Sequence, residues 1–185
     1  AVTDALVEQI HAAHNRVTAG DVGFSYVVRA LTDAGRGDLL YDMAVQSDGP
    51  GYVDQLRKGA TSLTEAWDAN PGDSQNHLML GHIEAWFYRG LAGIQPSDDP
   101  ADAGFAHVLI APQIVPAVQW VQATLNTPRG TLASAWKKEG GVLTLSVTIP
   151  PNASATLRIP ARDPAAVKEG STAAAGATGV ALLRA

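Results

Sequence analysis

Residues 95–104 read QPSDDPADAG, and the chain changes character across them. Behind this stretch apolar residues recur at a spacing of three and four, the period of one helix face. Ahead of it the period falls to two, the period of one strand face. Such a change at a segment rich in Pro, Asp and Ala predicts an α+β chain: a helical region over residues 1–94, a linker at 95–104 and an antiparallel β-sandwich over 105–185.

Working toward the N-terminus, Leu6, Val7 and Ile10 belong to a first helix, with Thr3 as its expected N-cap. Phe24, Val27, Val28 and Leu31 line one face of a second helix, which Gly35 ends. A third carries Leu39, Leu40, Met43 and Ala44 and stops before Gly49-Pro50-Gly51. Ser74 is expected to open the longest helix, SQNHLMLGHIEAWFYRGLAG, burying Met79, Ile83, Trp86 and Phe87 and ending at Gly90 or Gly93. Short connections between these segments suit antiparallel helical hairpins.

Working toward the C-terminus, VLTLSVTI alternates Leu143, Leu145, Val147 and Ile149 with Thr144, Ser146 and Thr148. PPNAS makes a turn, and ATLRIP resumes with Ala155, Leu157 and Ile159 inward. Further short strands are expected at His107–Ala111, Val118–Leu125, Thr131–Trp136 and Thr178–Leu183, with STAAAGATG as a loop. The regular spacing and single polar face fit a sandwich.

Composition excludes several functions. The 185 residues carry a formal net charge of −5, and no basic cluster exceeds Lys137-Lys138. Nucleic acid and anionic membrane surfaces, which demand concentrated positive charge, are therefore not expected partners. No apolar run reaches the length of a membrane span. The sequence has no cysteine, which removes disulfides, thiolate metal sites and a thiol nucleophile, and leaves the compartment open between cytoplasmic and exported. His11 and His14 stand three apart but lack a third ligand, so neither a metal nor a cofactor is expected.

The chemistry concentrates in GATSLTEAWDANPGDSQNH, residues 59–77. Glu65 can take a proton from water if a loop carries it into a cleft. The indole of Trp67 offers an apolar platform for a sugar ring. Tyr52, Asp68 and Asn76 add hydrogen-bonding groups. His77, placed in the first turn of its helix, would be disfavoured as a cation by the N-terminal dipole and could bond a substrate hydroxyl or the attacking water. Each group also has an ordinary reading: Glu65 as a solvated cap, His77 bonded to backbone, Trp86 as core. Glu84 is most simply an exposed partner for Arg89 or Lys58.

The run GATSLTEAWD, followed by SQNHLMLGHIEAWFYRGLAGIQP, resembles the end of the catalytic domain in the bacterial α-L-rhamnosidases of glycoside hydrolase family 78. GRGDLLYDMAVQSDGPGYVDQLRKGA is similar to that family's penultimate hairpin, and APQIVPAVQW through ATLRIP to its C-terminal β-sandwich. The resemblance implies part of a six-hairpin (α/α) barrel followed by the sandwich, and inverting hydrolysis of terminal α-L-rhamnosides. It matches the general base to Glu65, the cleft histidine to His77 and the aromatic after the base to Trp67. Thr64 and Tyr52 stand where the family pattern has Trp. The acidic motif that supplies the general acid has no counterpart here, which implies a C-terminal portion with negligible activity by itself. Its exposed helical face would then be covered by a second copy or another partner. Two further readings stay open: a non-catalytic carbohydrate-binding or interaction module, and a glycosidase for a different sugar.

Overall fold

The computed structural model describes residues 2–183. Four α-helices come first: α1 (Val2–Ala12), α2 (Asp21–Asp33), α3 (Gly37–Val45) and α4 (Tyr52–Arg57). After a long loop, a 3₁₀ turn (Leu78–His82), α5 (Ile83–Trp86) and a π turn (Phe87–Leu91) run end to end. The helical part packs around α2, whose Phe24, Val28 and Leu31 are fully withdrawn from water beside Leu39, Leu40 and Met43 of α3. Leu80, Ile83 and Trp86 close the same core from the last helical segment. Each such side chain contributes about 1.5–3 kcal/mol by leaving water.

Several boundaries differ from the sequence reading. α1 already includes Val2, so Thr3 lies inside the helix and is not its cap. α4 is not marked by the periodicity, but it falls within the stretch that resembles the family's penultimate hairpin. The long helix does not begin at Ser74: residues 74–77 are non-helical, and His77 has extended backbone (φ −128°, ψ 108°) just before the 3₁₀ turn. Phe87 faces outward at 44% exposure, and Leu80 takes the buried position instead. The end near Gly93 is as expected. Gly93 has φ +75°, and a Cβ there would sit 2.3 Å from the backbone nitrogen of Pro112.

The β region begins earlier than residue 105. β1 (Ile94–Pro96) occupies the start of the expected linker and pairs antiparallel with β2 (His107–Ile110). β3 (Trp120–Thr127), β4 (Gly130–Glu139) and β5 (Val142–Thr148) form an antiparallel meander in that order. β6 (Ser154–Leu157) joins the first sheet beside β2, and this pair is parallel, a departure from the all-antiparallel expectation. His107 fastens it, its two ring nitrogens lying 2.8 and 2.9 Å from the Ser154 and Thr156 hydroxyls.

The two three-stranded sheets face each other across Ile94, Val108, Ile110 and Leu132, with Val121, Ala123, Leu125 and Val147 beside them. The alternation in β5 is as expected, but Leu157 and Ile159 are exposed, not inward. No strand forms at 178–183. A small hairpin of β7 (Lys168–Glu169) and β8 (Thr172–Ala173) appears instead near the Ala/Gly-rich stretch.

Helices and sheets meet at a dense seam. The Trp136 indole donates to the Leu91 carbonyl (2.7 Å) and the Ser134 hydroxyl to the Ala92 carbonyl (2.7 Å), both in the interior. Gln113 spans the junction, donating to the Thr32 carbonyl at 2.7 Å and accepting from the Trp86 indole at 3.3 Å.

Candidate active site

Apart from Tyr52, which opens α4, the chemistry-bearing residues sit on one loop, 58–77, between α4 and the 3₁₀ turn. Gly59 (φ +90°) reverses the chain after α4. The loop then folds on itself as an irregular hairpin. The His77 N–H donates to the Leu63 carbonyl (2.8 Å) and the Glu65 N–H to the Ser74 carbonyl (2.9 Å). The Ser62 hydroxyl donates to the Gln75 carbonyl. At the tip, Asp68 accepts from the Asn70 N–H and Asn70 from the Gly72 N–H, turns that the Asn-Pro-Gly sequence favours.

This pairing brings Glu65 and His77 to the same hairpin neck, on its two opposed strands. The Glu65 side chain is exposed, and its Oε2 accepts the Ser74 N–H at 3.1 Å. One carboxylate oxygen is thereby fixed while the other stays available. The His77 ring is part-buried, with Nε2 3.6 Å from Asp21 Oδ2 at the start of α2. Asp21 is a neighbour that the sequence reading missed, because no local pattern links it to a residue so far along the chain. Asn76 is exposed beside His77, its backbone N–H on the Ser74 hydroxyl (3.4 Å). The expectation that His77 lies in a helix's first turn is corrected: pairing with Leu63 holds it extended.

Trp67 is also corrected. It is only 8% exposed, so its ring is no platform at a cleft rim. Its indole donates to the Ala19 carbonyl (2.8 Å), and its ring meets Phe24 and Tyr52 edge-on, each at 5.0 Å between centroids. An aromatic so close to Glu65 was read as a sugar wall because spacing alone does not say which way a side chain turns. Tyr52 is half-buried in the same cluster, and its hydroxyl donates to the Leu80 carbonyl. Burial pushes its pKa upward, which keeps that hydroxyl a donor. Thr64 is fully buried, its hydroxyl on the Ala66 carbonyl (2.7 Å). The loop is thus anchored from beneath by Trp67 and Tyr52 and shows Glu65, Asp68 and Asn76 to solvent.

Glu84 pairs with neither suggested cation: Arg89 lies 3.8 Å from Asp33, and Lys58 2.8 Å from Asp54. His14 lies beyond the end of α1 with φ +56°, and His11 contacts Asn15 at 3.2 Å. Among the described residues no three His, Asp or Glu side chains gather as a metal site, and no helix is long and apolar enough to cross a membrane.

Comparison with known proteins gives a consistent result along the chain. Residues 1–91 match the family profile described as the bacterial alpha-L-rhamnosidase 6 hairpin glycosidase domain. Residues 93–174 match that of the bacterial alpha-L-rhamnosidase C-terminal domain. An alpha-L-rhamnosidase of Formosa agariphila is 33% identical over 164 residues, 84% of this chain and 17% of that protein. One of Streptomyces avermitilis is 31% identical over 173 residues, 89% of this chain and 16% of that protein. The crystal structure of the Streptomyces avermitilis enzyme complexed with L-rhamnose superposes with a TM-score of 0.79 at 30% identity, over 88% of this chain and 16% of that one. The structure of an alpha-L-rhamnosidase from Dictyoglumus thermophilum gives 0.80 at 26% identity, over 95% and 20%. The chain therefore spans about one-sixth of the length of the curated relatives it matches.

Proposed function

The chain belongs to the bacterial α-L-rhamnosidase family, and from that premise we propose that its helical part furnishes the water-activating half of an inverting rhamnoside hydrolysis, with Glu65 as general base. The observation that carries this reading is the hairpin neck, where an exposed carboxylate with one oxygen pinned by the Ser74 N–H shares a short loop with His77. The free oxygen of Glu65 accepts a proton as water attacks the anomeric carbon from the face opposite the leaving group. His77, beside Asn76, bonds a sugar hydroxyl or that same water.

An inverting enzyme also needs an acid that protonates the departing oxygen, with about 6.5–9.5 Å between the two carboxyl groups. Asp68 caps the Asn70 N–H and Glu84 lies on α5, and neither matches the family's acid. The acid, the rest of the sugar pocket and the cover over exposed Val22, Tyr26 and Leu78 are accordingly assigned to further protein, either the remainder of a barrel or a second copy.

The test is release of nitrophenol from an aryl α-L-rhamnoside. In an enzyme carrying this region, Glu65→Gln should lower kcat by about 10³-fold or more with little change in KM, because the loss falls on the transition state. The 185-residue chain alone should give no turnover. Robust turnover by the chain alone, abolished by the same substitution, would place a second acid within it and overturn the division of labour.

A further inference from the structure

Away from the Glu65 hairpin, a groove of about 460 Å³ runs along the free edge of β3, where the meander meets α5 and the π turn. Trp120 forms one wall. It is 68% exposed, whereas Trp67, Trp86 and Trp136 are exposed by only 8%, 1% and 2%. Phe87, at 44% exposure, also lines it, and Leu91, Val121 and Ala123 add apolar surface. Glu84 and Gln122 also line the groove, and neither side chain has a hydrogen-bond or ion-pair partner among the described residues.

Two features narrow what could lie there. The Tyr88 hydroxyl donates to the Thr124 carbonyl of β3 at 3.5 Å, and the helical segment runs beside that edge, so an added strand is obstructed. The charged lining group is a lone carboxylate with no cation among the groove residues, which repels anions. An aromatic plane flanked by an unpaired carboxylate and an unpaired amide matches a neutral pyranose, whose ring has an apolar face and a rim of hydroxyls.

We propose that this groove is a carbohydrate-binding site separate from the Glu65 hairpin, in which a neutral pyranose stacks on Trp120 and its hydroxyls bond Glu84 and Gln122. The apolar surface takes ring C–H groups or the methyl of a 6-deoxy sugar. The site works by binding alone and stands whether or not Glu65 is a general base.

The experiment titrates the purified chain with methyl α-L-rhamnopyranoside and, separately, with methyl glucoside and methyl galactoside, following the indole N–H resonances by NMR. At least one sugar should shift the Trp120 resonance saturably in the millimolar range. Trp120→Ala should weaken binding about tenfold or more, as removal of a central aromatic anchor does. Glu84→Gln should cost about threefold to tenfold, the range of one hydrogen bond. Trp120→Phe should retain most of the affinity, and Glu65→Gln should leave it unchanged, which separates this site from the hydrolytic one. Because Trp120 is exposed, its alanine variant should melt like the parent, so lost binding would not reflect lost fold. Three results would overturn the proposal: no saturable shift with any of the sugars, a shift that Trp120→Ala leaves untouched, or no sugar binding while that variant splits a dimer into monomers.

Discussion

Replacing Trp67 by alanine separates an anchoring role from a sugar-contacting one. The indole is 8% exposed, so truncation removes nearly its whole contribution from the core, about 3–5 kcal/mol for Trp→Ala. The Ala19 carbonyl loses the donor it holds at 2.8 Å, adding about 1 kcal/mol. The edge-on contacts with Phe24 and Tyr52, worth roughly 0.5–1.5 kcal/mol each, fall largely within the truncation cost and are not added again. The sum is about 4–6 kcal/mol, a large share of the roughly 5–15 kcal/mol by which domains are stable. Urea unfolding followed by circular dichroism should show it as an earlier midpoint. Trp67→Phe, which keeps a ring but no N–H, should cost only about 1–2 kcal/mol. The reasoning fails if Trp67→Ala costs less than about 1.5 kcal/mol. It also fails if the phenylalanine variant, at near-parental stability, loses sugar contact at the hairpin.

Gly93→Ala should cost about 3 kcal/mol or more, measured by thermal unfolding, since φ +75° alone costs about 1–2 kcal/mol and the new Cβ meets the backbone of Pro112. Gln113→Ala should cost about 1–2 kcal/mol and speed amide exchange on both sides of the seam, because the Trp86 indole loses its acceptor and the Thr32 carbonyl keeps only the Gly35 N–H. The Arg36 guanidinium, 2.8 Å from Asp38, holds that carboxyl below its ordinary value. Its stabilisation is therefore present above the unfolded pKa near about 4 and is lost as pH falls through the folded one. Asp38→Asn should flatten the acid limb of a stability profile below about pH 4, by less than about 1 kcal/mol because the pair is half exposed.

The division of the chain was legible because a hydrophobic period is local: Phe24, Val28 and Leu31 mark their buried face within a few turns, as do Leu143, Leu145 and Val147. What misled was settled by distant partners. The polar run Ser74–His77 carries good helix-opening residues, yet pairing with Leu63 and Glu65 draws it into an extended arm. Trp67 turns inward toward Ala19, and no spacing in the sequence announces that. The direction of β6 depends on β2, a pairing with the meander intervening. Within the site, the loop with Glu65 and His77 was found from composition and family resemblance, while Asp21 emerged only in three dimensions.

The parallel pairing of β6 with β2 sets the order in which the molecule can be completed. β1 and β2 leave the ribosome directly after the helices they abut, but their third strand follows only when β3, β4 and β5 have all been synthesised. Until then the outer edge of β2 stays open, an adhesive border of the kind that invites strands from other chains. The nascent protein therefore carries this open edge while the residues between Ile110 and Ser154 are made, and slowing translation there should favour misassembly. Once His107 meets Ser154 and Thr156 that edge is closed, which makes β6 the last necessary piece of the first sheet.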